Sequence, residues 1–110
     1  MSLTPPSHAE LAAGRCAHAT SAIGDPDAWL ASVPGWSLTT GDLRRQFSFP
    51  DYKATIGFVN HVAALADAED HHPELLVGYN RCEVRWSTHS VGGISENDFV
   101  CAAKVDRLFG

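Results

Sequence analysis

The sequence lacks clustered positive charge and has no long hydrophobic run. It contains 8 Lys and Arg against 13 Asp and Glu, so its formal net charge is −5. A nucleic-acid surface needs clustered basic side chains to neutralise phosphates, and a transmembrane helix needs about 18 or more consecutive apolar residues. The first residues also lack the basic start and apolar segment of a signal peptide. We therefore expect a cytoplasmic protein that binds neither membranes nor nucleic acid directly.

Cysteine is scarce, and motifs of covalent or zinc catalysis are absent. Cys16, Cys82 and Cys101 are odd in number and show no CxxC spacing, which argues against a disulfide framework or a zinc knuckle. Free cysteine is most often a small core residue, so we expect three reduced thiols, with a reactive thiol as the alternative. The sequence contains neither a GxSxG nor an HExxH motif, the signatures of an α/β-hydrolase nucleophile and of a zinc protease.

The length and composition indicate one globular domain. A chain of 110 residues can bury a single core but not two. Its 45% hydrophobic and 19% charged residues are typical of globular proteins. Residues 1–25 are rich in Ala, Ser, Thr, Pro and Gly and are interpreted as an N-terminal extension, and residues 26–110 as the domain.

The pattern of the domain predicts a helix, two strands, a helix, two strands and a final helix. Proline lies at the first position of the first helix and again just after its end. The strands form two hairpins, at 36–49 and 74–88, and the helices that follow them lie at 51–70 and 95–109. Hairpins favour an α+β fold over parallel crossovers. We expect a two-layer domain, with a four-stranded antiparallel sheet and the helices packed on one face.

Two adjacent histidines followed by proline, His71-His72-Pro73, mark the candidate site. The unperturbed histidine pKa of about 6.5 lets imidazole give and take protons near neutral pH. Pro73 disfavours the α conformation at His72, so the helix should end near Asp70 and leave both imidazoles in an extended linker. A third histidine, His89, ends a separate strand-like segment. This arrangement predicts a proton-transfer site.

Three carboxylates, Asp67, Glu69 and Asp70, crowd the last turn of the preceding helix. Negative charge there opposes the helix macrodipole, and a sequence that breaks a local rule often does so at a functional site. We expect these carboxylates, with Asp67 one turn before His71, to favour the imidazolium form of His71 or His72. A protonated histidine can act as a general acid and a neutral one as a general base.

Two other interpretations of the histidines stay open. One is a solvated polar helix end whose imidazoles bond only to the backbone. The other is a metal site formed by His71, His72 and His89, although adjacent residues of an extended segment point to opposite sides and no histidine pair has i,i+4 spacing. His61 lies on the polar side of its helix and is interpreted as a surface residue. Asp98 closes a capping box at the start of the last helix, which gives it a structural explanation.

The spacing of these residues also resembles a known family signature. The string Asp67-x3-His71-His72-Pro73-x5-Tyr79-x9-His89-x8-Asp98 resembles that of the pterin-4a-carbinolamine dehydratases, also known as dimerization cofactors of a homeodomain transcription factor. Further fragments that agree are Pro34-Gly-Trp36, Arg45-Gln-Phe-Ser-Phe49, Tyr79-Asn80, Ser87-Thr-His89 and Gly92-Gly-Ile-Ser-Glu-Asn-Asp98. The resemblance covers roughly residues 27–109.

The resemblance implies dehydration of 4a-hydroxytetrahydrobiopterin to quinonoid dihydrobiopterin, which recycles the cofactor of aromatic amino acid hydroxylases. Loss of hydroxide from C4a needs an acid, and loss of the N5 proton needs a base. The reaction therefore requires no metal, and no cofactor beyond the pterin substrate. On this resemblance the catalytic candidates are His71 and His89 as the acid–base pair, His72 as the residue that binds or orients the pterin, and Asp67 as a supporting carboxylate.

The resemblance further implies pterin contacts by Asp70, Ser87, Thr88 and Ser90, and self-association as a homodimer or homotetramer. The competing interpretation is a non-catalytic interaction protein of the same fold, such as a transcriptional coactivator or an assembly chaperone, because fold alone does not determine function. Three histidines at these spacings favour the enzyme, since a scaffold has no need of them.

Overall fold

The computed structural model describes residues 5–17, 22–39 and 41–109. The α-helices are α1 (His8–Ala13), α2 (Pro26–Trp29), α3 (Tyr52–Glu69) and α4 (Glu96–Phe109), and the strands are β1 (Ser37–Thr39), β2 (Asp42–Ser48), β3 (Glu74–Val77) and β4 (Arg81–Trp86). Short 3-10 helices lie at Leu30–Ser32 and His89–Val91. The first predicted helix is therefore one turn of α-helix that continues as a 3-10 turn before Pro34.

The four strands form one antiparallel sheet in the order β1-β2-β4-β3. Leu43 pairs with Trp86 and Phe47 pairs with Cys82 across β2 and β4. Because side chains alternate along a strand, these residues and Val84 lie on one face, where all five are buried. Helices α3 and α4 pack over that face. The predicted α+β class, with its two-layer antiparallel sheet, is confirmed.

The opposite face of the sheet carries charged side chains. Arg44 bonds to the Asp42 carboxylate at 2.7 Å and approaches Glu83 at 3.3 Å, while Arg85 bonds to Glu83 at 3.0 Å. The hydrogen bond from Arg44 lowers the pKa of the Asp42 carboxyl. These ion pairs neutralise most of the charge of the side chains that form them.

The N-terminal segment packs on α4. Ser7 and Glu10 form a capping box that starts α1, and Leu11 is 3% exposed within the core. The Lys104 ammonium of α4 donates to the Ala12 carbonyl at 2.9 Å. Within the described ranges, no helix combines the length and the apolar character that a membrane crossing requires.

Candidate active site

A cleft of about 280 Å³ opens where the end of α3, the loop after β4, the start of α4 and the N-terminal segment meet. Its described lining consists of Cys16, Ala17, Glu69, Asp70, His71, Thr88, Ser90 and Asn97. Four of the candidates named from the sequence therefore share this cleft, namely Asp70, His71, Thr88 and Ser90.

The end of α3 directs His71 into this cleft. Asp70 adopts the left-handed conformation, with φ 50° and ψ 42°, and its N–H bonds back to the carbonyls of Ala66 and Asp67. The N–H of His71 also bonds to the Ala66 carbonyl, at 3.1 Å. Aspartate tolerates this conformation better than most residues, and Pro73 prevents the helix from continuing. The predicted helix end near Asp70 is confirmed.

His71 is held between an aromatic ring and a buried carboxylate. Its Nε2 lies 2.6 Å from Asp98 Oδ1, and its ring stacks on Trp86 with centroids 5.4 Å apart and planes 11° from parallel. The side chain of His71 is 12% exposed and that of Asp98 is 0% exposed. The other ring nitrogen, Nδ1, makes no hydrogen bond within the described ranges and is not a buried unpaired atom. It is therefore the nitrogen that can face a ligand.

Asp98 accepts two further hydrogen bonds on the floor of the site. Its Oδ2 accepts from the Thr88 hydroxyl at 2.8 Å and from the Ser95 N–H at 2.9 Å. The Ser95 hydroxyl bonds to Thr88 at 2.7 Å instead of to the helix backbone. Only the carboxylate half of the predicted capping box is thus formed. Asp98 starts α4 and also contacts His71, a second role that the capping explanation left out.

His72 points away from His71 and forms a separate surface pair. Its Nε2 lies 3.0 Å from Asp67 Oδ1, and the side chains of His72 and Asp67 are 58% and 83% exposed. Exposed pairs of this kind contribute at most about 1 kcal/mol. The spacing predicts a carboxylate beside His71 or His72; the structure pairs Asp67 with His72 and gives His71 the Asp98 carboxylate instead.

The remaining candidates lie outside the described lining of the cleft. His89 is exposed at the start of the 3-10 helix after β4, and Ser87 is half-buried two residues before it. Neither belongs to the described lining. Tyr79 is 65% exposed and stacks on Tyr52 at the start of α3, at the opposite end of that helix from the cleft. His61 is exposed on α3, as predicted.

Glu69 is a cleft residue whose partners come from the N-terminal segment. Its carboxylate is 8% exposed and accepts from Arg15 Nε at 2.7 Å and from the Cys16 N–H at 2.8 Å. Burial opposes ionisation, but the Cys16 hydrogen bond and the charges of Arg15 and Lys104 outweigh it, so the pKa of the Glu69 carboxyl is lowered. The sequence signal for this contact was the carboxylate at a helix C-terminus, which needs a compensating partner.

We expect Glu69→Gln to lower the free energy of unfolding by about 1–2 kcal/mol at pH 7, because the Cys16 N–H and the Arg15 guanidinium lose the charged acceptor of a buried side chain. A lowered folded-state pKa means that the ionised Glu69 stabilises the fold above the ordinary value of 4.5 and that this stability is lost as the pH falls through the folded-state pKa. Urea unfolding measures the destabilisation of the variant at pH 7 and its decrease at about pH 3. Glu74→Gln, on a 73% exposed side chain, is the control. A Glu69 deficit that does not shrink in acid would contradict this account.

The described residues contain no group of three or more His, Cys, Asp or Glu side chains arranged to hold a metal ion. The three histidines that could have formed a metal site have different surroundings. His71 is buried, His72 belongs to an exposed pair and His89 lies after β4. All three cysteines are free thiols.

Comparison with known proteins identifies the family. The model of the pterin 4 alpha carbinolamine dehydratase family matches residues 25–108. The chain belongs to this family. A relative from Nitrosospira multiformis, named "Putative pterin-4-alpha-carbinolamine dehydratase", is 50% identical over 80 residues, which cover 73% of this chain and 71% of the relative.

Two solved structures share the fold. One is described as a transcriptional coactivator/pterin dehydratase from Brucella melitensis; it is 31% identical, with a TM-score of 0.74 over 88% of this chain and 100% of that chain. The other is described as a pterin dehydratase-like protein that is a RuBisCO assembly factor in the alpha-carboxysome; it is 26% identical, with a TM-score of 0.57 over 68% of this chain and 87% of that chain. Membership of the family supports a pterin carbinolamine dehydratase, and the second structure illustrates that the fold also serves assembly.

Proposed function

We propose that this protein converts 4a-hydroxytetrahydrobiopterin to quinonoid dihydrobiopterin by histidine general acid–base catalysis, in the cytoplasmic recycling of tetrahydrobiopterin. The family match and the named relatives support the dehydratase class. The observation that carries the mechanism is the geometry of His71, whose Nε2 faces a buried carboxylate at 2.6 Å while its Nδ1 is available at the cleft.

The reaction needs two proton transfers that histidines can perform. A protonated imidazole donates to the C4a hydroxyl, which leaves as water, and a neutral imidazole accepts the N5 proton, so the catalyst ends with the same number of protons. In this proposal His71 and His89 form the acid–base pair. One positioned acid or base contributes about 10²- to 10⁴-fold to such a step.

The Asp98 carboxylate makes His71 suited to either role. An anion at Nε2 stabilises the imidazolium and fixes which nitrogen carries the proton in the neutral ring. Stacking on the fully buried Trp86 fixes the ring plane. A ligand in the cleft thus meets a preoriented nitrogen, which lowers the cost of reaching a reactive geometry.

The pterin contacts belong to the same proposal. Asp70 and Ser90 are exposed at the cleft and present polar groups to a heterocycle. Thr88 lies deeper and is committed to Asp98, so its contribution is to position that carboxylate. His72 with Asp67, and Ser87, are outside the described lining, and in this proposal they contact the part of the substrate that projects from the cleft.

The direct test is a dehydratase assay on the purified protein with a 4a-hydroxytetrahydropterin, followed by the appearance of the quinonoid product. The uncatalysed dehydration is measured in parallel, and a heat-denatured sample controls for buffer effects. An enzymatic rate no greater than the uncatalysed rate would reject the proposed function.

We expect this activity to survive exhaustive chelation, because imidazoles account for both proton transfers and the donor groups in the described ranges do not converge on a metal site. The measurement is turnover before and after dialysis against a strong chelator, with elemental analysis of the protein. Loss of turnover that zinc or iron restores would favour the three-histidine metal site.

A role as an interaction protein is the second candidate, supported by the coactivator and assembly-factor descriptions of the two structural relatives.

The proposal also includes self-association as a homodimer or homotetramer. The edge strand β3, which pairs only with β4 in the described sheet, exposes Leu76 and Val77 at 40% and 43%, and exposed edges favour strand pairing. Sedimentation equilibrium distinguishes these oligomers from a monomer, and a monomer at micromolar concentration would contradict this part of the proposal.

A further inference from the structure

Two thiols meet at the wall of the cleft. Cys16 Sγ of the N-terminal segment lies 3.3 Å from Cys101 Sγ of α4. Cys16 is half-buried and lines the cleft, whereas Cys101 is fully buried. Cys101 follows Asp98 by three residues, so the two side chains share one side of the helix. The pair therefore adjoins the carboxylate that holds His71.

We propose that Cys16 and Cys101 form a reversible intramolecular disulfide that fastens the N-terminal segment to α4 beside the cleft. The bond needs a sulfur–sulfur distance of about 2.05 Å, so the two atoms must approach by little more than 1 Å from their present 3.3 Å. A side-chain rotation supplies a movement of that size. In a reducing compartment such a bond is transient, which suits a redox-sensitive site.

The two cysteines have different parts in the reaction. Cys16 is the accessible thiol, because it is half-buried and lines the cleft whereas Cys101 is fully buried. The hydrogen bond with Cys16, together with burial, raises the pKa of the Cys101 thiol. Cys16 therefore reacts first with an external oxidant, and Cys101 is the resolving thiol.

The oxidant is a small-molecule disulfide of the glutathione class. The Cys16 thiolate attacks one of its sulfurs, forms a mixed disulfide and releases the first small thiol. The Cys101 sulfur then attacks Cys16 Sγ while its proton passes to the departing small thiolate, so the Cys16–Cys101 bond forms and the second small thiol is released. The two electrons of the protein thiols reduce the small disulfide, and the two thiol protons end on its products.

The bond would add a covalent link to a wall that is otherwise held by hydrogen bonds, the Arg15–Glu69 ion pair and packing against the core. The Cys16 N–H donates to Glu69 at 2.8 Å. Ala17 makes a two-way contact with the Asn97 side chain, its N–H donating at 3.1 Å and its carbonyl accepting at 2.6 Å. Such local contacts open in fluctuations below global unfolding. A covalent link between residues 85 apart in the chain suppresses that opening and constrains the unfolded chain.

The test uses the full chain treated with oxidised glutathione and then mapped by mass spectrometry without reduction. We expect the loss of two hydrogen atoms, a linked peptide pair that contains Cys16 and Cys101, and reversal by dithiothreitol. Oxidation should raise Tm by about 5 °C or more and slow amide hydrogen exchange at Cys16 and Ala17 by about tenfold or more.

Cysteine variants provide the controls. Cys82 lies in the core at β4, where burial, with a smaller contribution from the Glu83 charge, raises its pKa to about 11, and we expect Cys82→Ala to oxidise as the parent does. Cys16→Ser should show no intramolecular bond and no rise in Tm. A stable mixed disulfide at Cys16, a disulfide-linked dimer, or a linked pair without slower exchange would overturn the proposal. These readouts do not involve the pterin, so they are independent of the dehydratase assay.

Discussion

Replacing His71 by alanine is expected to lower the dehydration rate by about 10²-fold or more, the contribution of one positioned acid or base. The imidazole is the group that the fold orients most firmly, since Asp98 holds Nε2 at 2.6 Å and Trp86 supports the ring. The measurement is kcat for the 4a-hydroxypterin, corrected for the uncatalysed reaction. Circular dichroism and urea unfolding establish that the variant is folded.

Two further histidine variants separate catalysis from a general effect of removing imidazole. We expect His89→Ala to cost a similar factor of about 10²-fold if it is the second partner of the pair. His61→Ala serves as the matched control, because His61 is exposed on the polar side of α3 and should leave the rate unchanged. Equal losses in all three variants, or full activity in His71→Ala, would reject the assignment.

The strands and the end of α3 can be predicted because their signals lie within a few neighbouring residues of the sequence. Cys82, Val84 and Trp86 alternate with polar residues along β4, and the structure buries all three. Pro73 restricts the residue before it, and the helix ends as that restriction requires. Signals of this kind act within a few residues, so the sequence is sufficient to read them.

The partners within the site depend on contacts that spacing does not reveal. Asp67 stands four residues before His71, which on a continuous helix would put the two side chains together. The left-handed residue Asp70 turns the chain before His71 is reached, so His72 meets Asp67 instead. Asp98 contacts His71 from a position 27 residues further along the chain. Its place in the capping box already explained the residue, so the local pattern did not indicate this second contact.

The contacts of the N-terminal segment could not be predicted for a different physical reason. Helix α1 has six residues and a single buried side chain, Leu11, which is too short to show helical periodicity. Its position comes instead from polar contacts, including those of Arg15 and Cys16 with Glu69. Each of these joins residues more than 50 apart in the chain. Such pairings require the folded structure.

Asp98→Asn is expected to lower kcat by about 10²-fold or more while the protein stays folded. The amide can keep an oxygen toward the Ser95 N–H and the Thr88 hydroxyl, but it then presents an NH₂ group to His71 Nε2. That group disfavours the imidazolium and forces Nε2 to accept, so the proton of the neutral ring moves to Nδ1. In that tautomer the nitrogen that faces the cleft carries a hydrogen and cannot accept the substrate proton.

Asp67→Asn makes the same chemical change beside the other histidine and provides the comparison. Its pair with His72 is exposed to solvent, where a carboxylate has a weak influence, so we expect less than about a tenfold loss and a nearly unchanged pH–rate profile. Histidine titration by NMR in both variants identifies which imidazole responds. If Asp67→Asn were the more damaging change, the supporting carboxylate would belong to His72, and the buried Asp98 would be left with its structural role at the start of α4.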